Sequence, residues 1–129
     1  MAIRKKKVNS LSYRSGFEKK VADSLTLSGV DYGYETIKLK YVIPESSHVY
    51  TPDLILTNGI ICELKGYFDI TSRKKMLLVI EQNKLDIRLI FMNPKTKLNK
   101  GSKTDYSMWC DKHNIKWGVQ ADILKWAKE

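Results

Sequence analysis

The stretch YTPDLILTNGIICELKG, residues 50–66, holds two short apolar runs separated by Asn58-Gly59, the dipeptide that most strongly marks a tight β-hairpin. Each run carries charge where a sheet core would want none, Asp53 in the first and Glu63 and Lys65 in the second. Side chains alternate along a strand, so Glu63 and Lys65 share one face. The face taken by Asp53 depends on the turn. A two-residue loop at Asn58-Gly59 pairs Thr57 with Ile60 and puts Asp53 across from Leu64, on the wrong face. A three-residue loop, Thr57-Asn58-Gly59 with Gly59 left-handed in a bulge, pairs Leu56 with Ile60 and sets Asp53 across from Glu63. Only odd loop lengths bring the charges together, and the three-residue loop is the one expected.

Brought together, Asp53 and Glu63 offer a cation such as Mg²⁺ two hard oxygen ligands, with the Leu64 carbonyl between them as a further one. Two adjacent carboxylates repel unless a cation or a proton neutralises one of them. A metal at that point would polarise a phosphodiester oxygen and activate a water, with Lys65 stabilising charge at phosphorus. On spacing alone, an edge hairpin with a surface aspartate and a Glu/Lys pair worth roughly a few tenths of a kcal/mol accounts for the same residues.

Working outward, SGFE at residues 15–18 reads as a capping box that starts a helix, with Phe17, Val21 and Leu25 on its inner stripe and Gly29 at its end. Tyr32 to Ile43 reads as extended, and Pro44 breaks it. The segment PESSHVYTP, residues 44–52, has proline at both ends and cannot be a central strand. Beyond the hairpin, a helix capped by Thr71 or Ser72 should turn Met76, Leu77, Val79 and Ile80 inward. LDIRLIFM, residues 85–92, is nearly all apolar, as expected of a strand covered on both faces. A basic loop, a helix over 105–113, the short strand IKWGV and a helix through Trp126 complete the chain. The order α-β-β-β-α-β, then α-β-α, predicts an α/β fold in which helices flank a mixed β-sheet. Residues 12–129 form one domain, preceded by a flexible basic arm at 1–11.

The chain has 129 residues and a net charge of +9. Basic residues gather at Arg4, Lys5, Lys6 and Lys7, at Arg73, Lys74 and Lys75, and at Lys95, Lys97, Lys100 and Lys103. Such groups are a footprint for a polyanion, nucleic acid above all, although a solvated surface accounts for them too. No apolar run approaches the ~20 residues of a membrane span, and the basic start lacks the apolar stretch of a signal peptide. Two cysteines give no disulfide framework, so a cytoplasmic location with reduced thiols is expected.

These motifs resemble a known family. Pro52-Asp53 followed by Glu63-Leu64-Lys65 matches the signature of the restriction-endonuclease-like nucleases, whose core has this α-β-β-β-α-β order. More closely, YRSGFE (13–18), the run from Tyr41 to Gly66, LDIRLIF (85–91) and KTKLNKGS (95–102) with WCDKHNIKW (109–117) resemble the phage-type endonuclease I family of Holliday-junction resolvases. The resemblance implies that Asp53 and Glu63 bind metal and that Lys65 is catalytic. It also implies that Glu18 completes the site, at a second metal, in competition with its capping role. Mg²⁺ is the implied cofactor, with Mn²⁺ as a substitute and one or two ions per site. The family is further a domain-swapped homodimer, which makes residues 44–52 an inter-subunit bridge. Glu18 of one chain would then meet Asp53, Glu63 and Lys65 of the other. Two such sites would place paired nicks in four-way and other branched DNA. Arg14 joins the basic groups as a phosphate contact. Two positions depart from the family's habit, Lys19 where an acid is usual and Leu64 where a small polar residue is. The alternatives are a sequence-specific restriction or transposon-end nuclease on the same core, which would want more recognition segments, and a non-catalytic nucleic-acid-binding protein. The complete set Glu18, Asp53, Glu63 and Lys65 argues against the latter.

Overall fold

The computed structural model describes residues 13–43 and 46–129. The expected basic arm, with Arg4, Lys5, Lys6 and Lys7, lies outside the described residues, as do residues 44 and 45 of the expected bridge. Helix α1 (Gly16–Leu27) is followed by β1 (Tyr32–Tyr34), β2 (Leu39–Ile43), β3 (Ser46–Tyr50), β4 (Leu54–Leu56) and β5 (Ile61–Lys65). Then come α2 (Ile70–Asn83), β6 (Ile87–Phe91), α3 (Tyr106–Lys112), β7 (Trp117–Gly118) and α4 (Gln120–Trp126). Five strands form one mixed sheet in the order β1-β4-β5-β6-β7. Its β1/β4 and β4/β5 pairs are antiparallel, and its β5/β6 and β6/β7 pairs are parallel.

The hairpin closes as the charge argument requires. Leu54 pairs with Cys62 and Ile55 with Ile61, Leu56 N donates to Ile60 O at 2.8 Å, and Gly59 N donates to Leu56 O at 2.9 Å. The loop is therefore Thr57-Asn58-Gly59, and Gly59 sits at φ +92°, a conformation that a Cβ makes costly. Continuing the register by one pair puts Asp53 opposite Glu63.

Alternation along β5 and β6 divides the core between the two faces of the sheet. Ile61, Leu89 and Phe91 pack with Met76 and Val79 of α2 and with Trp109 of α3. Cys62, Leu64 and Ile90 pack with Val21 and Leu25 of α1 and with Ile123 of α4. All five residues of β6 are buried, as its apolar composition predicts. The exception in kind is Arg88, which stays buried because both of its neighbours are acids. Its Nε and Nη2 donate to Asp86 at 2.9 and 2.8 Å, its Nη1 donates to Glu129 at 2.8 Å, and it lies 4.9 Å from the Trp126 ring. This ties the end of the chain to the middle of the sheet.

Three elements differ from the sequence reading. The extended segment from Tyr32 to Ile43 splits into β1 and β2, which belong to different sheets. Glu35 adopts φ +51°, and Thr36 folds back over Gly33 so closely that a Cβ on Gly33 would come within 2.3 Å of its Oγ1. The segment at 46–50, read as a polar linker, is strand β3, paired with β2 from Leu39–Tyr50 to Ile43–Ser46. Its polar side chains suit a two-stranded arm outside the main sheet, which α2 supports through Gln82. That side chain donates to Val42 O at 2.8 Å and accepts from Val42 N at 2.6 Å. Finally, α2 is capped by Asp69 rather than Thr71 or Ser72, with Ser72 N donating to Asp69 Oδ1 at 2.8 Å. A charged cap two to three residues upstream outcompetes the hydroxyls.

Because only Gly59 satisfies the loop without strain, Gly59→Val should lower stability by about 1–2 kcal/mol. Urea unfolding measures it, and an unchanged midpoint would show that the loop conformation is not enforced.

Candidate functional site

Asp53 precedes β4, Glu63 and Lys65 lie on β5, and Glu18 lies in the first turn of α1. The fold brings all four together around β4 and the central strand β5. Asp53, Glu63 and Glu18 are 4%, 7% and 8% exposed, so each charge has lost most of its water. The surroundings return part of that solvation as hydrogen bonds. Leu64 N donates to Asp53 Oδ2 at 2.9 Å, Tyr50 Oη donates to Glu63 Oε1 at 2.5 Å, and Tyr34 Oη donates to Glu18 Oε1. Lys65 Nζ stands 3.4 Å from Glu63 Oε2.

The capping box at residues 15–18 forms only in half. Glu18 N donates to Ser15 Oγ at 3.1 Å, but the Glu18 carboxylate turns inward to Tyr34, with a long contact from Arg14 N at 3.4 Å. Tertiary contacts have claimed the side chain that the local motif would use.

The electrostatics follow from burial. Desolvation and the neighbouring Glu63 carboxylate push the Asp53 pKa up to about 8, against the pull of the Leu64 amide. Burial, then Glu63, pushes the Tyr50 hydroxyl well above its usual range. Burial and the bond to Glu18 do the same for Tyr34. Both tyrosines therefore remain donors at any physiological pH.

Sequence reasoning missed Glu35. Oxygens of Glu18, Glu35 and Asp53 all lie within 4.8 Å of one another, the arrangement among the described residues that most resembles an acidic metal cluster. Glu35 reaches it because its backbone N donates to Asp53 O at 3.0 Å, and its Oε2 is buried without a hydrogen-bond partner, 3.9 Å from Arg14 Nη1. No periodicity marks a glutamate that is going to adopt a left-handed conformation, so nothing in the sequence pointed to it. Tyr34 and Tyr50 were missed for a related reason, since both read as ordinary strand aromatics. Glu63 stands outside the Glu18–Glu35–Asp53 cluster, engaged by Tyr50 and Lys65, and Asp53 is the member common to both groups.

The basic residues divide. Lys95, Lys97, Lys100 and Lys103 are all exposed on a loop that leaves the end of β6, where Met92 N donates to Lys65 O at 3.1 Å. Asn93 and Asn99 fold this loop by accepting from Lys95 N at 3.0 Å and Gly101 N at 3.1 Å. Lys74 is exposed, while Lys75 lies over the Tyr50 ring at 5.1 Å. Arg73 is buried and donates from Nη1 to Phe68 O at 2.8 Å, so its guanidinium serves the start of α2 and is not at the surface expected of a phosphate contact.

Comparison with known proteins places this arrangement in context. The family model described as phage endonuclease I matches residues 1–129. Endonuclease I of Escherichia phage T7 is 47% identical over 119 residues, covering 92% of this chain and 80% of the relative. Endodeoxyribonuclease 1 of Enterobacteria phage T3 is 51% identical over 105 residues, covering 81% and 69%.

The raised Asp53 pKa has a signed consequence for the metal-free chain. Between its ordinary value of 3.8 and about 8, the folded state keeps a proton that the unfolded state has released. Stability should therefore fall as pH rises through that window, by up to ~1.4 kcal/mol per pH unit. Asp53→Asn should flatten the slope, and urea unfolding of both proteins at pH 5 and pH 8 reads the difference. Parallel slopes would mean that Asp53 ionises freely in the fold.

Proposed function

The chain belongs to the phage endonuclease I family and is a DNA-cleaving enzyme; from that premise we propose that it cuts four-way and other branched DNA by metal-dependent phosphodiester hydrolysis, with paired nicks. The observation that carries this reading is the buried pair Asp53 and Glu63 beside Lys65, two carboxylates that a cation or a proton must neutralise. The donor set suits a hard divalent ion. The clustered side-chain donors are carboxylates, and one Glu35 oxygen is buried with no hydrogen-bond partner. Asp53 would be the shared ligand, with Glu63 and the Leu64 carbonyl on one side and Glu18 and Glu35 on the other, which provides for one or two ions. Bound there, Mg²⁺ or Mn²⁺ supplies Lewis acidity toward a phosphodiester oxygen and lowers the pKa of the attacking water.

The chain's own residues do the rest. Lys65 holds a positive charge where negative charge builds on the phosphate. Tyr50 and Tyr34 fix one oxygen each of Glu63 and Glu18, and the second Glu63 oxygen faces Lys65 at 3.4 Å. The lysines at 95, 97, 100 and 103, with Lys74 and Arg14, bind flanking phosphates without reading bases, so affinity should fall steeply with salt. Selectivity then comes from DNA shape.

Paired nicks need two sites, hence a homodimer acting in the host cytoplasm. Within one chain Glu18 reaches Asp53 in cis. Opening the β2–β3 arm would let two chains exchange their α1–β2 segments and rebuild the same contacts between partners, because a swap reuses the interactions of the closed chain. Residues 44–52 would then be the bridge, and each nuclease domain, 12–129, would hold a composite site.

The test is cleavage of a labelled four-way junction beside a linear duplex of the same sequence, with Mg²⁺ or EDTA. Wild type should make paired cuts only at the junction and only with metal, while Asp53→Asn binds without cutting. Equal cutting of both DNAs would refute junction selectivity. Co-folding Glu18→Gln with Asp53→Asn tests the exchange. In a swapped mixed dimer one site receives both changes and the other none, so nicking of one strand returns. A mixture as inactive as its parents would show that Glu18 acts in cis.

A further inference from the structure

The C-terminal ends of β5 and β6 carry three large apolar side chains turned to solvent. Tyr67 is 75% exposed, Ile70 58% and Met92 60%. Single exposed apolar residues need no explanation, but a group of them marks a contact surface. All three follow the ends of strands β5 and β6, close in the chain to Lys65. Tyr67 comes two residues after Lys65, and Ile70 opens α2 three residues later. Met92 leaves β6 by donating from N to Lys65 O at 3.1 Å, and its Cε lies 3.7 Å from where a Gly66 Cβ would stand. Beyond Met92 the apolar surface continues into a cavity of about 380 Å³, lined in part by Phe17, Lys20, Val119 and Gln120. Phe17 is the residue next to Glu18.

The chemistry of the ledge selects its occupant. Its exposed side chains are apolar, Tyr67 comes two residues after the lysine placed at the reacting phosphate, and the exposed lysines of the 95–103 loop begin three residues beyond Met92. A nucleobase on a phosphate backbone has the matching form, an apolar face between anionic groups. Duplex DNA keeps its bases stacked inside and presents only phosphates and groove edges, so an aromatic platform is used only by a base that has left the stack. Bases flanking a branch point are the ones least held by their neighbours.

We propose that Tyr67 is a stacking platform for an unstacked base at the branch point, and that it contributes to discrimination between branched and linear DNA. The inference rests on the branched-DNA reading above and adds the element that senses the branch. It leaves the hydrolytic groups unchanged, since Tyr67 is neither a ligand nor a proton carrier.

The experiment is binding without metal, which separates recognition from cutting, using wild type, Tyr67→Ala and Tyr67→Phe. Each is titrated against a four-way junction and a linear duplex of the same sequence at one salt concentration, with 2-aminopurine beside the branch. The expected result is that Tyr67→Ala binds the junction about tenfold more weakly, in the range of base–aromatic stacking, while its duplex binding is unchanged. The fluorescence change of the branch base on binding should disappear with Tyr67→Ala and return with Tyr67→Phe. A side chain this exposed can be removed without unfolding the chain. If Tyr67→Ala keeps the wild-type junction preference and fluorescence change, or weakens both DNAs equally, the platform is refuted. If wild type neither prefers nor cuts the junction, it is the branched-DNA reading that fails, and the proposal falls with it.

Discussion

Asp53 and Glu63 face each other across a strand pair, each almost completely removed from water, and the surrounding structure answers to that repulsion. Burying one carboxylate is costly and burying two side by side more so. The chain supplies partial compensation through the Leu64 amide, the Tyr50 hydroxyl and Lys65. These do not suffice to keep both ionised at neutral pH, as the Asp53 pKa of about 8 records. The repulsion that remains is what the cation proposed for this site would relieve.

The scaffold draws the groups around the pair from several elements. Tyr50 arrives at the end of the β2–β3 arm, which stands outside the main sheet and leans on α2. Tyr34 ends β1, at the edge of the sheet, where its hydroxyl meets Glu18 from α1. Glu35 follows at once, turned by its left-handed backbone into contact with the Asp53 strand. Groups from α1, from β1 and the residue after it, from the end of β3 and from β5 therefore meet around Asp53. The alternation of β5 and β6 between two cores holds them there, since a one-residue slip of either strand would exchange its buried faces.

Charge is arranged on two scales. The chain is strongly basic as a whole, +9, yet its site is a knot of carboxylates. The exposed lysines draw a polyanion toward the surface over distances of about a Debye length. The acids would repel that same polyanion at contact unless a divalent ion lay between them. Attraction of a polyanion at long range and repulsion of it at contact are thus two consequences of one charge distribution.

The sequence by itself determined the elements whose causes are local. The Asn58-Gly59 turn, the register it imposes and the meeting of Asp53 with Glu63 all follow from period-two alternation and from one residue free to adopt a positive φ. The doubly covered β6 follows from its composition, and the extended resemblance from YRSGFE through the hairpin to WCDKHNIKW pointed to the family. Tertiary structure decided what local signals leave degenerate. Glu18 had two possible partners, a helix-end amide and a buried tyrosine, and only packing of α1 against β1 settled which received its carboxylate. Arg73 and Lys74 are neighbours of the same charge, yet helical geometry buries one and exposes the other. Glu35 could not be anticipated, because its backbone conformation is imposed by contacts with Thr36 and the Asp53 strand. Local periodicity states which face a side chain takes; which partner waits on that face is set by segments far away in the chain.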